Sequence, residues 1–261
     1  MTDAIPAATV LLLRDEPSFE VLMIERHADM AFAGGALVFP GGRIDDADSG
    51  AGWRARCAGL DEIPAEQHAP RIAAIREAFE ETGLLLARKE TGSGLVDDAV
   101  AEALNPWRKK VEADAEVFLD IIEQEKLVLA CDALQLYARW SPPDEAIHRR
   151  YDTWFFAAKA PGGQRAREDG DEATEAIWIG PEAALKARET GERKMIFPTA
   201  RNVELLAESD SAAAVFSFAA QRDIPKVVPR IVKRPDGTFV TIPSGIGYPV
   251  TEEPIETAFR F

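Results

Sequence analysis

Cysteine is nearly absent: Cys57 and Cys131 are the only two in 261 residues, far apart and without a Cys-x-x-Cys or Cys/His ligand spacing. This excludes a disulfide framework and a zinc ribbon and points to a reducing compartment. Positive charge is also short, with 30 Lys and Arg against 45 Asp and Glu and a net charge of −15. Nucleic-acid binders gather cations on one face to displace counterions, so a DNA or RNA partner is not expected. A small anionic ligand stays open if a metal cation or a local Arg pair supplies the missing field. No apolar run approaches the ~20 residues that cross a bilayer, so no membrane partner is expected. No Lys or Arg precedes the short apolar run Ala7–Leu13, and the last residues, Ala258-Phe259-Arg260-Phe261, are not a Ser-Lys-Leu-type address. The expectation is a soluble, cytoplasmic protein. His27, His68 and His148 show no ligand spacing, and there is no internal repeat or low-complexity tract.

What is present is an ordinary globular composition, 46% hydrophobic and 29% charged. Ala7–Arg14 and Phe19–Arg26 are β-rich runs around the turn-prone Asp15-Glu16-Pro17-Ser18, which predicts a hairpin. Ala36–Phe39 is a third run, ended by Pro40-Gly41-Gly42. From Arg71 to Thr82 the period becomes helical, with Gly83 at the stop, and Leu84–Leu86 reads as a buried strand. Gly92–Lys126 is helical and acidic, with an apolar stripe of Val117, Phe118, Ile121 and Ile122. Leu127–Trp140 and Tyr151–Ala158 are strand-like around a turn at Ser141–Asp144, Gly162–Gly170 is a loop, and Ala176–Ile179 is a last short strand. A helix from Pro181 to Thr190 ends at Gly191, and another follows Thr199. The order implies an α+β domain, a mixed β-sheet sandwiched by helices. We take residues 1–261 as a single domain with insertions at about 49–69 and 92–126 and a wrapping tail from about 225.

The chemistry concentrates in Arg76-Glu77-Ala78-Phe79-Glu80-Glu81-Thr82-Gly83-Leu84. At about 100° per residue, Glu77, Glu80 and Glu81 share one sector of the helix and Ile72, Ile75 and Phe79 the other. Like charges at i,i+3 and i,i+4 repel. A cation that prefers oxygen ligands, Mg²⁺ or Mn²⁺, would relieve that repulsion and could activate water. The bland alternative is a solvated helix face, as most Glu runs are.

The flanking residues decide between these, because the stretch resembles the box of the Nudix hydrolases, Gly-x5-Glu-x7-Arg-Glu-U-x-Glu-Glu-x-Gly-U, with U a bulky apolar residue. Every fixed polar and Gly position of its second half is filled, and Ala78 is small for its U. Phe39-Pro40-Gly41-Gly42 matches the usual lead-in, and Asp48 stands where the family has its first Glu. Between Asp48 and Arg76 lie 27 residues instead of seven. Such an insertion and such an Asp recur in the branch that contains the peroxisomal coenzyme A diphosphatases. Gly35-x3-Phe39-Pro40-Gly41-Gly42 after Arg26 keeps the register of the related coenzyme A signature, from which His27 and Ala31 depart.

The resemblance implies that Glu77, Glu80 and Glu81 ligate Mg²⁺ or Mn²⁺ together with the Gly42 carbonyl. Arg76 would orient the carboxylates and Asp48 support them. A late acid often assists in the family; Glu175 is the first candidate and Glu172 the second. Arg26 and Arg43, flanking the glycine-rich strand end, are candidates to grip phosphates. Trp53 and Trp107 could cover a base, although core packing suits them equally. The implied activity is metal-dependent pyrophosphate hydrolysis in a nucleoside diphosphate derivative, a small-molecule nucleotide of coenzyme A or acyl-CoA type. ADP-ribose or a dinucleotide is the alternative substrate, and a Nudix-fold nucleotide sensor or an acidic interaction surface the alternative of another class. A homodimer is left open, as is the question of whether the helical insert is a lid or an interface.

Overall fold

The run Ala7–Leu13 is apolar at every position but Thr9, a pattern that a half-solvated strand would not carry. In the computed structural model, which describes residues 4–29, 33–142, 150–168, 170 and 173–258, it belongs to β1 (Ile5–Arg14) in the middle of the main sheet. Ala8, Val10 and Leu12 pack on one side of the sheet and Leu11 and Leu13 on the other. Burial on both faces is what makes such a run continuously apolar.

The hairpin forms as expected: β2 (Glu20–Arg26) returns beside the end of β1, with Leu13 opposite Val21. β3 (Leu37–Val38) pairs with β2, and β4 (Gly41–Arg43) pairs with the beginning of β1, Gly42 opposite Ala8. Short 3-10 turns between Asp46 and Gln67 lead into α1 (His68–Thr82). Gly83 ends it at φ +71°, a left-handed conformation that favours glycine.

The next stretch holds β5 (Ala87–Lys89), α2 (Asp98–Leu104), α3 (Arg108–Ala113), α4 (Glu116–Gln124) and β6 (Leu127–Leu129), with β5 and β6 paired at its base. β7 (Gln135–Trp140), β8 (Tyr151–Lys159) and β9 (Ala173–Ile179) return to the main sheet. β8 runs parallel to β1, β7 antiparallel to β8, and β9 antiparallel to β2. Then come α5 (Pro181–Thr190), α6 (Phe197–Ala207) and α7 (Ala212–Gln221). β10 (Lys226–Val227) joins β7, while β11 (Arg230–Arg234), β12 (Gly237–Thr241) and β13 (Glu252–Pro254) form a second sheet before α8 (Ile255–Ala258).

The mixed sheet therefore has two cores. On one face Val10, Leu12 and Phe156 meet Ile72, Ile75 and Phe79 of α1 and Phe118 and Ile122 of α4. On the other, Leu11, Leu13 and Phe155 meet Phe197, Val203 and Leu206 of α6 and Val215 of α7. This is the α+β architecture expected, with helices on both faces.

Leu84–Leu86 is buried as expected but is not a strand. Its polar backbone is met locally: the Gln164 side chain accepts from Leu85 N at 2.9 Å and donates to Leu85 O at 3.1 Å. The tail does more than wrap, since it builds its own sheet and sends Val240, Ile242 and Tyr248 into the second core. Cys57 and Cys131 are both unoxidised and buried, with their thiols in contact. The turn at Ser141–Asp144 lies outside the described residues from 143 onward, as do Ala31, His148 and Glu172. Among the described residues, no helix is long and apolar enough to cross a membrane.

Candidate active site

The acidic sector of α1 is not left to solvent. β4 and the 3-10 turn Asp46–Ser49 lie against it, and Asp48, Arg76, Glu80 and Glu81 are each more than nine-tenths buried. Buried charges survive only when paired and hydrogen-bonded. Here the pairing converges on one guanidinium.

Arg76 holds Asp48 with two parallel bonds, Nε to Oδ1 and Nη2 to Oδ2, each 2.9 Å. Its Nη1 donates to Glu77 Oε1 at 3.0 Å and to Glu80 Oε1 at 2.7 Å, and Nη2 also donates to the Arg43 carbonyl at 2.9 Å. Asp48 is fixed in turn by the Asp45 amide, which donates to Oδ2 at 2.8 Å. Trp53 Nε1 donates to the adjacent Ala47 carbonyl at 2.9 Å. The long insertion after Asp48 therefore leaves the contact between Asp48 and Arg76 intact in space.

The glycine bend closes the other side. A Cβ at Gly42 would come within 2.5 Å of Glu77 Oε2, so the missing side chain is where the Glu77 carboxylate sits. The Gly41 amide donates to Glu81 Oε2 at 2.8 Å, and Arg26 Nη1 lies 4.0 Å from Glu81 Oε1.

Burial pushes Glu77 up to about 8, with the Arg76 cation opposing and Glu80 and Asp48 adding to the rise. Glu80 is pushed up to about 7 by burial against the same opposing cation. Burial works against the Arg76 charge too, but its bonds to Asp48 and the surrounding carboxylates outweigh this and hold it protonated. Three carboxylates around one guanidinium leave a deficit of positive charge. Among the described residues, no three acidic, His or Cys side chains converge as a ready cage, and one oxygen each of Glu77 and Glu80 is turned onto Arg76. The donor set is nonetheless carboxylate oxygen, the chemistry that suits a hard divalent cation.

Arg43 is exposed at the end of β4. Glu175 is not brought to this cluster. It stands opposite Glu25 in the ladder of β2 and β9, on the face where Ile177 and Ile179 pack toward α5 and α6, and it pairs with Arg193 at 2.8 Å. Trp53 is buried in the core, and Trp107 packs with Lys110 over its ring. One contact had no sequence signal: Arg108, from α3, donates through Nε to the Glu80 carbonyl at 2.9 Å.

Comparison with known proteins places this geometry in context. A family model described as the NUDT19 Nudix domain matches residues 55–204. The acyl-coenzyme A diphosphatase NUDT19 of Gallus gallus is 28% identical, covering 93% of this chain and 79% of its own length. The Homo sapiens protein of that name is 27% identical, over 86% and 71%. The crystal structure of a NUDIX hydrolase from Alicyclobacillus acidocaldarius shares 26% identity and covers 83% of this chain and 97% of its own, with a TM-score of 0.71.

Proposed function

The chain belongs to the Nudix hydrolases, within the NUDT19 Nudix domain family, and from that premise we propose that this pyrophosphohydrolase cleaves the diphosphate of coenzyme A or an acyl-CoA with the help of Mg²⁺ or Mn²⁺. Divalent-metal dependence is general to Nudix hydrolases; the choice of ion is our reading. The coenzyme A class is supported by the names of the relatives above. The single observation that carries the site is the knot of Asp48, Glu77 and Glu80 on Arg76, set against the glycine bend.

In this reading Glu77, Glu80, Glu81 and the Gly42 carbonyl hold the ion. When bound, it polarises a phosphoryl oxygen and lowers the pKa of a water. Arg76 keeps the carboxylates oriented, and Asp48 fixes Arg76. A glutamate of the cluster accepts the proton of the attacking water. As the new oxygen–phosphorus bond forms, the anhydride oxygen leaves on the other phosphate, giving two phosphate monoesters. Arg26, beside Glu81, and the exposed Arg43 present forked donors to the phosphates. Residues 1–261 act as one domain in this proposal, with the two insertions packed behind the box helix.

The test is incubation with coenzyme A, an acyl-CoA, ADP-ribose, NADH and diadenosine polyphosphates, with Mg²⁺, Mn²⁺ or chelator, and chromatography of the products. Metal-dependent release of phosphopantetheine from coenzyme A is the expected result. Preferential cleavage of ADP-ribose or a dinucleotide would overturn the substrate assignment. Tight nucleotide binding without turnover would replace the enzyme by a sensor.

A further inference from the structure

An α-helix leaves its last four carbonyls without helical partners. In α1 these belong to Phe79, Glu80, Glu81 and Thr82, the turn that carries two of the three box glutamates. The Phe79 carbonyl accepts from the Gly83 amide at 2.9 Å and the Thr82 carbonyl from the Arg167 amide at 2.8 Å. The Glu80 carbonyl accepts from Arg108, whose guanidinium is buried and also lies beside Gly83. Glu80 is thus gripped twice, at its carboxylate by Arg76 at 2.7 Å and at its backbone by Arg108 at 2.9 Å. A cation at a helix C-terminus is also favoured by the helix dipole.

The lobe that delivers Arg108 is anchored by rings. Phe118 of α4 stacks on Phe79 of α1 with centroids 5.9 Å apart and meets Trp53 of the first insertion at 5.6 Å. Both insertions therefore meet in the core behind the box helix, and Glu112 of the same α3 lies near enough to Glu80 to add to the rise in its pKa. We infer that Arg108 is a positioning residue: the inserted lobe is a brace that brings a cation to the last turn of α1 and so holds Glu80 and Glu81 in place for the divalent ion. This rests on the metal-site reading above.

The test compares wild type with Arg108→Met, which keeps the aliphatic stem, and Arg108→Lys, which restores a donor and the charge. Mn²⁺ binding is followed by electron paramagnetic resonance, amide exchange over Glu80–Leu84 by mass spectrometry, and kcat and metal KM by assay. Arg108→Met is expected to keep a native circular dichroism spectrum, bind Mn²⁺ about tenfold more weakly, and exchange faster in that last turn. Its metal KM should rise with little change in kcat, and Arg108→Lys should recover part of the loss. Wild-type Mn²⁺ affinity and exchange in Arg108→Met would overturn the inference. Should that variant not fold, Arg108→Gln and Arg108→Lys stand in, the former expected to bind more weakly than the latter, and equal affinities across both and wild type would overturn the inference. If wild type itself binds no Mn²⁺, the metal-site reading fails instead.

Discussion

Glu77 and Glu80 lie outside the ordinary carboxylate range because burial removes water from both while a single guanidinium serves three acids. Each is held well above its usual value of 4.5, to about 8 and about 7. Over that window the folded chain binds more protons than the unfolded chain, so stability must fall as pH rises. The metal-free protein, kept in chelator, should accordingly melt at a lower temperature at pH 8.5 than at pH 5.5, and saturating Mg²⁺ should recover most of the difference. Glu204, pushed by burial up to about 7, adds a smaller slope of the same sign away from the site. Glu80→Gln removes one of the crowded charges. Its slope in chelator should be shallower than that of wild type, while turnover falls on the order of 10³-fold, several kcal/mol of transition-state stabilisation. A flat profile for chelated wild type, or near-normal turnover in Glu80→Gln, would contradict the assignment. The acids of α1 were readable because a 3.6-residue period puts Glu77, Glu80 and Glu81 on one side whatever packs there. Glu175 was not, since its face depends on the register of β9 against β2, which a bulge beside Glu25 shifts.

Among elements, α1 and its Gly83 stop were legible for the same reason, whereas Leu84–Leu86 shows where such reading ends. Three consecutive leucines after a helix look like a buried strand, and burial is what the structure shows. Strand pairing, however, begins only at Ala87. A polar side chain 79 positions away replaces the ladder at Leu85, and no local pattern could announce that. Gln164 Nε2 also donates to the Val96 carbonyl at 2.7 Å, tying the 92–126 lobe to the same segment. Gln164→Ala would orphan Leu85 N, Leu85 O and Val96 O. Each buried orphan costs about 1–3 kcal/mol, so a total of roughly 2–4 kcal/mol is expected, part of the site being open to water. Urea denaturation would measure it as a lower midpoint at unchanged slope. A loss under about 0.5 kcal/mol would mean that water substitutes fully for the side chain.

For the molecule as a whole, the two faces of the sheet divide the work. The carboxylate knot lies with α1 on one face, and the chain's last segment closes the other, where Trp140 Nε1 donates to Tyr248 Oη and Tyr248 Oη to Asn202 Oδ1, both at 2.9 Å. Glu253 of β13 is the electrostatic clasp there: it accepts from Arg188 Nη2 at 2.6 Å and lies 3.3 Å from Arg201 Nη2, nearly out of reach of water. The sequence suggests a Pro-rich tail that wraps the domain, but not that it enters the second core or seats an acid between arginines of α5 and α6. Removing one partner of a buried ion pair costs about 3–5 kcal/mol when the other is stranded. Here Arg188 loses its carboxylate while Arg201 keeps Glu204 at 2.5 Å, so the cost falls toward the lower end, about 3 kcal/mol. Glu253→Ala should therefore lower the urea midpoint sharply, while the folded fraction at 25 °C retains wild-type kcat and metal KM because no contact of Glu253 reaches α1 or β4. Exchange data should show the loss concentrated in α5, α6 and β11–β13. If instead the metal KM rose in step with the destabilisation, the two faces would be energetically coupled through the sheet, and the glycine bend, reached through Lys194 O and Leu37 N at 2.8 Å, would be the route to examine.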